Sequence, residues 1–286
     1  MSILTYPFMQ RALIAAVLIG LAAPSVGVYL VQRRLALIGD GLGHVALAGV
    51  ALGVLTGSSP VWVALLVAVV GAVSVELVRV MGRAGGDVAL AILFYGGIAG
   101  GVVLISQSST GTAANLTSYL FGAITTTTWP DVVLFAALTV VVLAVTLGLR
   151  RHLFAVSNDE EYARASGLPV LGLNLLVAVL TAVTVVVAMR VVGLLLVSAL
   201  MIVPVAAAQV LSTSFARTMA AASAIGVAVS VGGVVTSFYT STPSGGMIVL
   251  LAIGCFLVAT VTRAARTSLR SSRGSGRADP AGARRP

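Results

Sequence analysis

The sequence predicts an all-α, polytopic membrane protein of about nine transmembrane helices, eight on an alternative count. Three observations predict it. Of 286 residues, 59% are hydrophobic and only 9% are charged, and the mean hydropathy is +1.11. A soluble domain carries about 25% charged residues, because its folded surface needs polar cover. A soluble globular enzyme, a disordered chain and a disulfide scaffold are therefore excluded. Apolar runs of roughly 20 residues, the length that crosses a bilayer core of about 30 Å, recur along the whole chain. These runs are continuous rather than alternating, as helices require and barrel strands do not.

The first span, near residues 12–31, follows Arg11. It reads as a retained helix, because Gln32-Arg33-Arg34 follows without a small-residue cleavage site. The second, near 35–55, carries Asp40 and His44 among Gly39, Gly41, Gly43, Gly49 and Gly53. The third, near 61–78, ends with Glu76 and Arg79 at i, i+3, spaced to pair or to snorkel. Asp87 is placed to cap the fourth, near 88–105, in which Gly96, Gly97, Gly100 and Gly101 form two overlapping GxxxG packing patterns. A polar, uncharged stretch, 106–129, includes a Thr125–Thr128 run to which the sequence assigns no role. Asp131 then opens the fifth span, near 130–149, where a carboxylate complements the helix dipole. The sixth and seventh, near 170–189 and 191–211, are separated only by Met189-Arg190, so they could form one broken unit. Spans near 218–239 and 245–262 follow, the last holding Cys255, the sole cysteine, read as a small core residue. Pro24 and Pro204 are expected to kink the first and seventh spans.

Orientation is written in arginine, because all 17 basic residues are Arg. With the 150–169 stretch cytoplasmic and nine alternating spans, 15 arginines fall inside and only Arg11 and Arg190 outside. The N-terminus is then outside and the C-terminus cytoplasmic. Residues 1–265 form the transmembrane domain, and 266–286 form a basic cytoplasmic tail expected to be disordered. The net charge of +9 suggests nucleic acid at first sight. Residues 263–286 alone contribute seven arginines against one aspartate, so the charge belongs beside anionic lipid and no nucleic-acid partner is expected.

Ionisable groups inside a membrane default to functional candidates, since each costs at least about 2.5–3.5 kcal/mol to insert. Asp40 and His44 lie i, i+4 on one helical face, about 6 Å apart. A carboxylate oxygen and a neutral imidazole nitrogen together suit a borderline divalent metal such as Mn²⁺ or Zn²⁺. Two ligands bind weakly, as a transit site requires, and a symmetric dimer would bring four to one axis. A proton relay and a self-satisfied intrahelical hydrogen bond are the other readings of the same pair.

The 150–169 stretch contains its own short helix, about 157–167. Ser157 or Asn158 can cap it, Asp159, Glu160 and Glu161 occupy its first turn, and Gly167 and Pro169 stop it. Such a helix suits a docking partner as well as a plain solvated connector.

Together these residues resemble the permease subunits of bacterial manganese/zinc/iron ABC importers. Gln32-Arg33-Arg34 followed by Leu35 to Gly53 is similar to that family's Arg-Arg … Gly-Asp-x-x-x-His-x-x-x-x-Gly signature. Asn115-Leu116 with Tyr119-Leu120-Phe121-Gly122, the Asp159-to-Gly167 segment, and Val192 through Pro204 also match. The resemblance implies a multi-pass permease of the bacterial plasma (inner) membrane, working as a homodimer. Its implied partners are a second copy of itself, two cytosolic ATP-binding subunits, an extracytoplasmic metal-binding protein, and membrane lipid. It implies Asp40 and His44 as metal ligands. It further implies that Asp159, Glu160, Glu161, Tyr162, Ala163, Arg164 and Gly167 form the coupling helix on the ATPase. Mn²⁺ or Zn²⁺, with Fe²⁺ also admitted, is the transported substrate, and no cofactor is permanently bound. The chain has no G-x-x-x-x-G-K-[ST] phosphate loop, so it is read as a transport subunit and not an enzyme. The alternatives are a proton-coupled secondary metal transporter and a permease for a metal chelate such as a siderophore.

Overall fold

The computed structural model describes residues 5–82, 86–107, 120, 122, 127–189 and 192–275, with backbone alone for 86, 87, 195 and 266–275. Among the described residues every regular element is a helix. We number them α1 (Pro7–Gln32), α2 (Ile38–Leu55), α3 (Pro60–Val80), α4 (Gly86–Ser106), α5 (Trp129–Gly148), α6 (Arg150–Asn158), α7 (Glu160–Ala165), α8 (Val170–Ala188), α9 (Leu194–Leu211), α10 (Phe215–Thr240) and α11 (Ser244–Ser275). Proline starts α1 and α3 and stands second in α5, where its missing N–H removes no helical bond.

Eight of these helices are long and apolar enough to cross a membrane. In α9 only Leu196–Leu211 is comparably apolar, about 24 Å at 1.5 Å per residue. Helix-end contacts nevertheless place α9 as a separate pass. The Val192 carbonyl lies against Gly245 at the start of α11. Eighteen residues further along both chains, Arg263 Nη1 donates to the Val210 carbonyl at 3.4 Å. Helices α9 and α11 therefore run parallel, and α8 and α9 are separate helical segments among the described residues. At one end of the bundle Tyr6 and Phe8 of the α1 entry meet Phe238 of α10, with ring centroids 5.9 and 6.3 Å away. At the other end Phe215 of α10 meets Tyr29 of α1 and Phe154 of α6 at 5.5 and 4.7 Å. Among the described residues, nine long helices thus alternate between the two ends.

Helices α1, α2 and α8 form the centre, with 72%, 67% and 67% of their apolar windows buried, against 17% for α4 and 22% for α11. The centre is tight because small residues meet there. A Cβ on Gly20 of α1 would lie 2.8 Å from the Gly226 carbonyl of α10, closer than any real side chain could stand. The outer faces stay apolar: Leu66, Ile92, Val133, Val140 and Val258 are all exposed. Such a surface is stable only where hydrocarbon covers it, which accounts for the small charged fraction.

Three boundaries differ from the sequence expectation. The 150–169 stretch holds two helices, α6 and α7, hinged at Asp159. The α7 cap is Asp159, whose Oδ1 accepts from Tyr162 N at 2.9 Å, and neither Ser157 nor Asn158. Ser157 and Asn158 are instead the last turn of α6. Helix α11 continues through Ser275, past the 265–266 boundary expected from composition; 276–286 lie outside the described residues. The helical runs through Pro24 and Pro204 are unbroken.

Candidate functional site

Helix α2 carries both intramembrane candidates, Asp40 in its first turn and His44 one turn later. Both are half-buried. The wall facing Asp40 is α9: the Ser198 hydroxyl donates to Asp40 Oδ1. Gly39 permits this approach, since a Cβ there would lie 3.1 Å from Ser198 Cβ. The wall facing His44 is α4: the Phe94 ring stands edge-on to the imidazole with centroids 4.7 Å apart. Gly97 permits that approach. A Cβ on Gly97 would lie 2.6 Å from Val45 N and 2.7 Å from His44 C. Of the two overlapping GxxxG patterns, Gly97 and Gly101 therefore face α2, whereas Gly96 faces open space.

Among the described residues no group of three or more His, Cys, Asp or Glu side chains comes together. The Asp40–His44 pair thus offers one oxygen-type and one nitrogen-type ligand from this chain. Ser198 and Phe94 were not singled out from the sequence, because each lies far along the chain from the residue it touches.

The α7 segment is split between two faces. Asp159, Glu161, Tyr162, Arg164 and Gly167 are exposed, while Ala163 is buried. The helix closes with a Schellman turn: Gly167 sits at φ +78, its N–H reaches Arg164 O at 3.0 Å, and Leu168 N reaches Ala163 O at 3.1 Å. Glu160 turns inward. Its Oε1 accepts from Arg79 Nη2 at 2.7 Å, Arg33 Nη2 at 3.0 Å and Asn174 Nδ2 at 3.0 Å. The expected Glu76–Arg79 pair is present and two-pronged, at 2.7 and 3.1 Å, and Arg33 lies 3.5 Å from the same Glu76. Burial works against the Glu160 carboxylate, but the hydrogen-bonded Arg79, with Arg33 and Asn174, outweighs it and holds that carboxyl below its ordinary range.

Asp131 accepts from the backbone N–H and the hydroxyl of Thr128, at 3.0 and 2.7 Å, so it secures the start of α5. This gives Thr128 a role as helix cap, while Thr127 is buried. Residues 115–119 and Phe121 of the Asn115–Gly122 motif lie outside the described residues, as do Thr125, Thr126, Arg83 and Arg190; Asp87, expected as the cap before Val88, stands second inside α4.

The fold is thus a multi-pass helical bundle that holds a carboxylate and an imidazole between three of its spans. Comparison with known proteins is more specific. Residues 5–263 match the model of the ABC 3 transport family. A "probable metal transport system membrane protein" of Treponema pallidum is 35% identical, with 87% of this chain and 93% of that one aligned. The manganese transport system membrane protein MntC of Halalkalibacterium halodurans is 31% identical over 90% of this chain and 88% of that one. The solved structure of PsaBC from Streptococcus pneumoniae in complex with Fab superimposes with a TM-score of 0.80 at 28% identity, covering 90% of this chain and 92% of that one. The chain belongs to the ABC 3 transport family and is a multi-pass membrane permease.

Proposed function

We propose that this chain is the permease subunit of an ATP-driven importer of divalent transition metal ions, and that Asp40 and His44 are the ligands its cargo meets in transit. The relatives named for manganese, and the 29% identical Haemophilus influenzae protein named for probable iron transport, favour Mn²⁺ or Fe²⁺ as cargo. The observation that carries the reading is the Asp40 carboxylate, one turn from His44 and held toward α9 by Ser198. A carboxylate with a neutral imidazole suits Mn²⁺ or Fe²⁺. A pair is too few for tight retention, and a second copy of the chain would supply the matching pair across a two-fold axis. Weak coordination that one conformation completes and another disperses lets the ion both enter and leave.

ATP hydrolysis belongs to a separate cytosolic partner that seats on the exposed face of α7. The α7 end of the bundle is then cytoplasmic, with the C-terminus, in keeping with the arginine distribution. An extracytoplasmic metal-binding protein delivers the ion at the opposite end. The test is ATP-dependent uptake of radiolabelled Mn²⁺ by proteoliposomes holding the permease and its ATPase. Asp40→Ala and His44→Ala are each expected to lower uptake by at least 10–100-fold, the scale on which losing a metal-site group acts. Uptake at the wild-type rate in the double variant would refute the assignment.

A further inference from the structure

The charge cluster beneath the bundle is not needed to hold a metal, yet it joins four elements that sequence order keeps apart. Arg33 caps α1, Glu76 and Arg79 end α3, Glu160 begins α7, and Asn174 begins α8. The Arg33 and Glu76 side chains are only 6% and 2% exposed. Charges so deeply placed persist only while paired, because removing one partner leaves the other desolvated and alone. Glu160 Oε1 is the shared acceptor of three of the donors. If α7 shifts, Glu160 shifts with it, and Arg33 must follow or lose its closer partner and keep only Glu76, 3.5 Å away.

Arg33 is closely tied to the candidate metal site. After it the chain makes a Schellman turn, with Arg34 in the left-handed region at φ 59 and Leu35 N bonded to Leu30 O at 2.9 Å. Ile38 N then bonds back to Leu35 O at 3.1 Å, and α2 begins with Asp40 in its first turn. The link between Arg33 and α2 is thus short and internally hydrogen-bonded rather than slack. The remaining polar capacity also fits a cluster with a second arrangement: Asn174 is buried, and among the described residues its Oδ1 has no hydrogen-bond partner while its Nδ2 binds Glu160. That carbonyl is a ready acceptor for a guanidinium that moves.

We infer that the Arg33–Glu76–Arg79–Glu160 cluster is the junction through which displacement of α7 is passed to α2, re-aiming Asp40 and His44. Glu160 and Arg33 are positioning residues for transport, not metal ligands. The inference rests on the proposed docking of an ATPase at α7, and it assigns the inward-facing Glu160 a role separate from that docking face. A static staple would hold the same helices together without linking their movements.

Two measurements test it. In proteoliposomes with the assembled ATPase, Glu160→Gln is compared with wild type for both ATP hydrolysis and Mn²⁺ uptake. Mn²⁺ transported per ATP should fall about tenfold or more. An unchanged ratio, or hydrolysis and transport falling in proportion, would overturn the inference. The second measurement leaves the charges intact. Spin labels are placed in a Cys255→Ser background at the exposed positions Ser166 after α7, Leu37 before α2 and Tyr239 at the opposite end. Distances from Ser166 and from Leu37 to Tyr239 should change together between the nucleotide-free and vanadate-trapped complexes. Movement at Ser166 without movement at Leu37 would overturn the inference and leave the docking of α7 standing. No movement at Ser166 would remove both. The metal-ligand reading fails separately, through wild-type uptake in the Asp40 and His44 variants.

Discussion

A carboxylate in a membrane helix is governed by what it can face. Asp40 faces a hydroxyl: Ser198 donates to Oδ1 and leaves the other oxygen free of that constraint. This fixes the direction in which the free lone pairs point and keeps the carboxylate from curling back onto its own helix. Ser198→Ala is therefore expected to weaken Mn²⁺ binding by about 10–100-fold, as loss of a ligand-orienting group does, with the protein still eluting as a folded species. Titration of the purified permease with Mn²⁺ checks this, and wild-type affinity would show that Ser198 merely packs. Asp40 and His44 were legible in the sequence because two ionisable groups at i, i+4 stand out in an apolar run, where each is costly to insert. Ser198 was not, since nothing local distinguishes a serine that bonds 158 residues away from one that bonds its own helix, as Thr181 and Thr184 do. The Glu76–Arg79 pair was legible for the same local reason, whereas its joining to Glu160, 81 residues beyond Arg79, was not.

At the scale of elements, the site depends on how closely α4 and α9 approach α2. The glycine patterns of α4 were visible in the sequence, but their rotational phase was not, because both i, i+4 sets fit a packing face equally well. The backbone resolves it: a Cβ on Gly97 would collide with His44 and Val45, whereas one on Gly96 would meet nothing within 4 Å among the described residues. Gly97→Leu is expected to force α4 away from α2, costing about 1–3 kcal/mol as overpacking does, and to abolish Mn²⁺ uptake. Gly96→Ala is expected to leave both unchanged within about 0.5 kcal/mol. Thermal unfolding in detergent with parallel uptake measurements separates the two, and equal behaviour would contradict the phase. The α7 helix was legible in outline from its acidic first turn and its Gly167 stop. Its start was misplaced because Ser157, Asn158 and Asp159 are all competent caps. The structure selects Asp159 by continuing α6 through the first two.

For the whole molecule, the sequence carried the architecture well because the bilayer imposes so few solutions. Apolar length marks the spans, and arginine placement marks one end of them. The ambiguous case, α9, is ambiguous for a physical reason: its strongly apolar part is short, and contacts with Gly245 and Arg263 of α11 set its direction. Among the described residues no third carboxylate, imidazole or thiolate joins Asp40 and His44; in the proposed reading a second copy of the chain supplies the matching pair. The most direct measurement is electron paramagnetic resonance of Mn²⁺ bound to the purified permease in lipid nanodiscs. The expected result is one Mn²⁺ per two chains, with nitrogen hyperfine coupling that disappears in His44→Ala and no specific binding in Asp40→Ala. Nitrogen coupling that survives in His44→Ala, or undiminished binding in Asp40→Ala, would contradict the account.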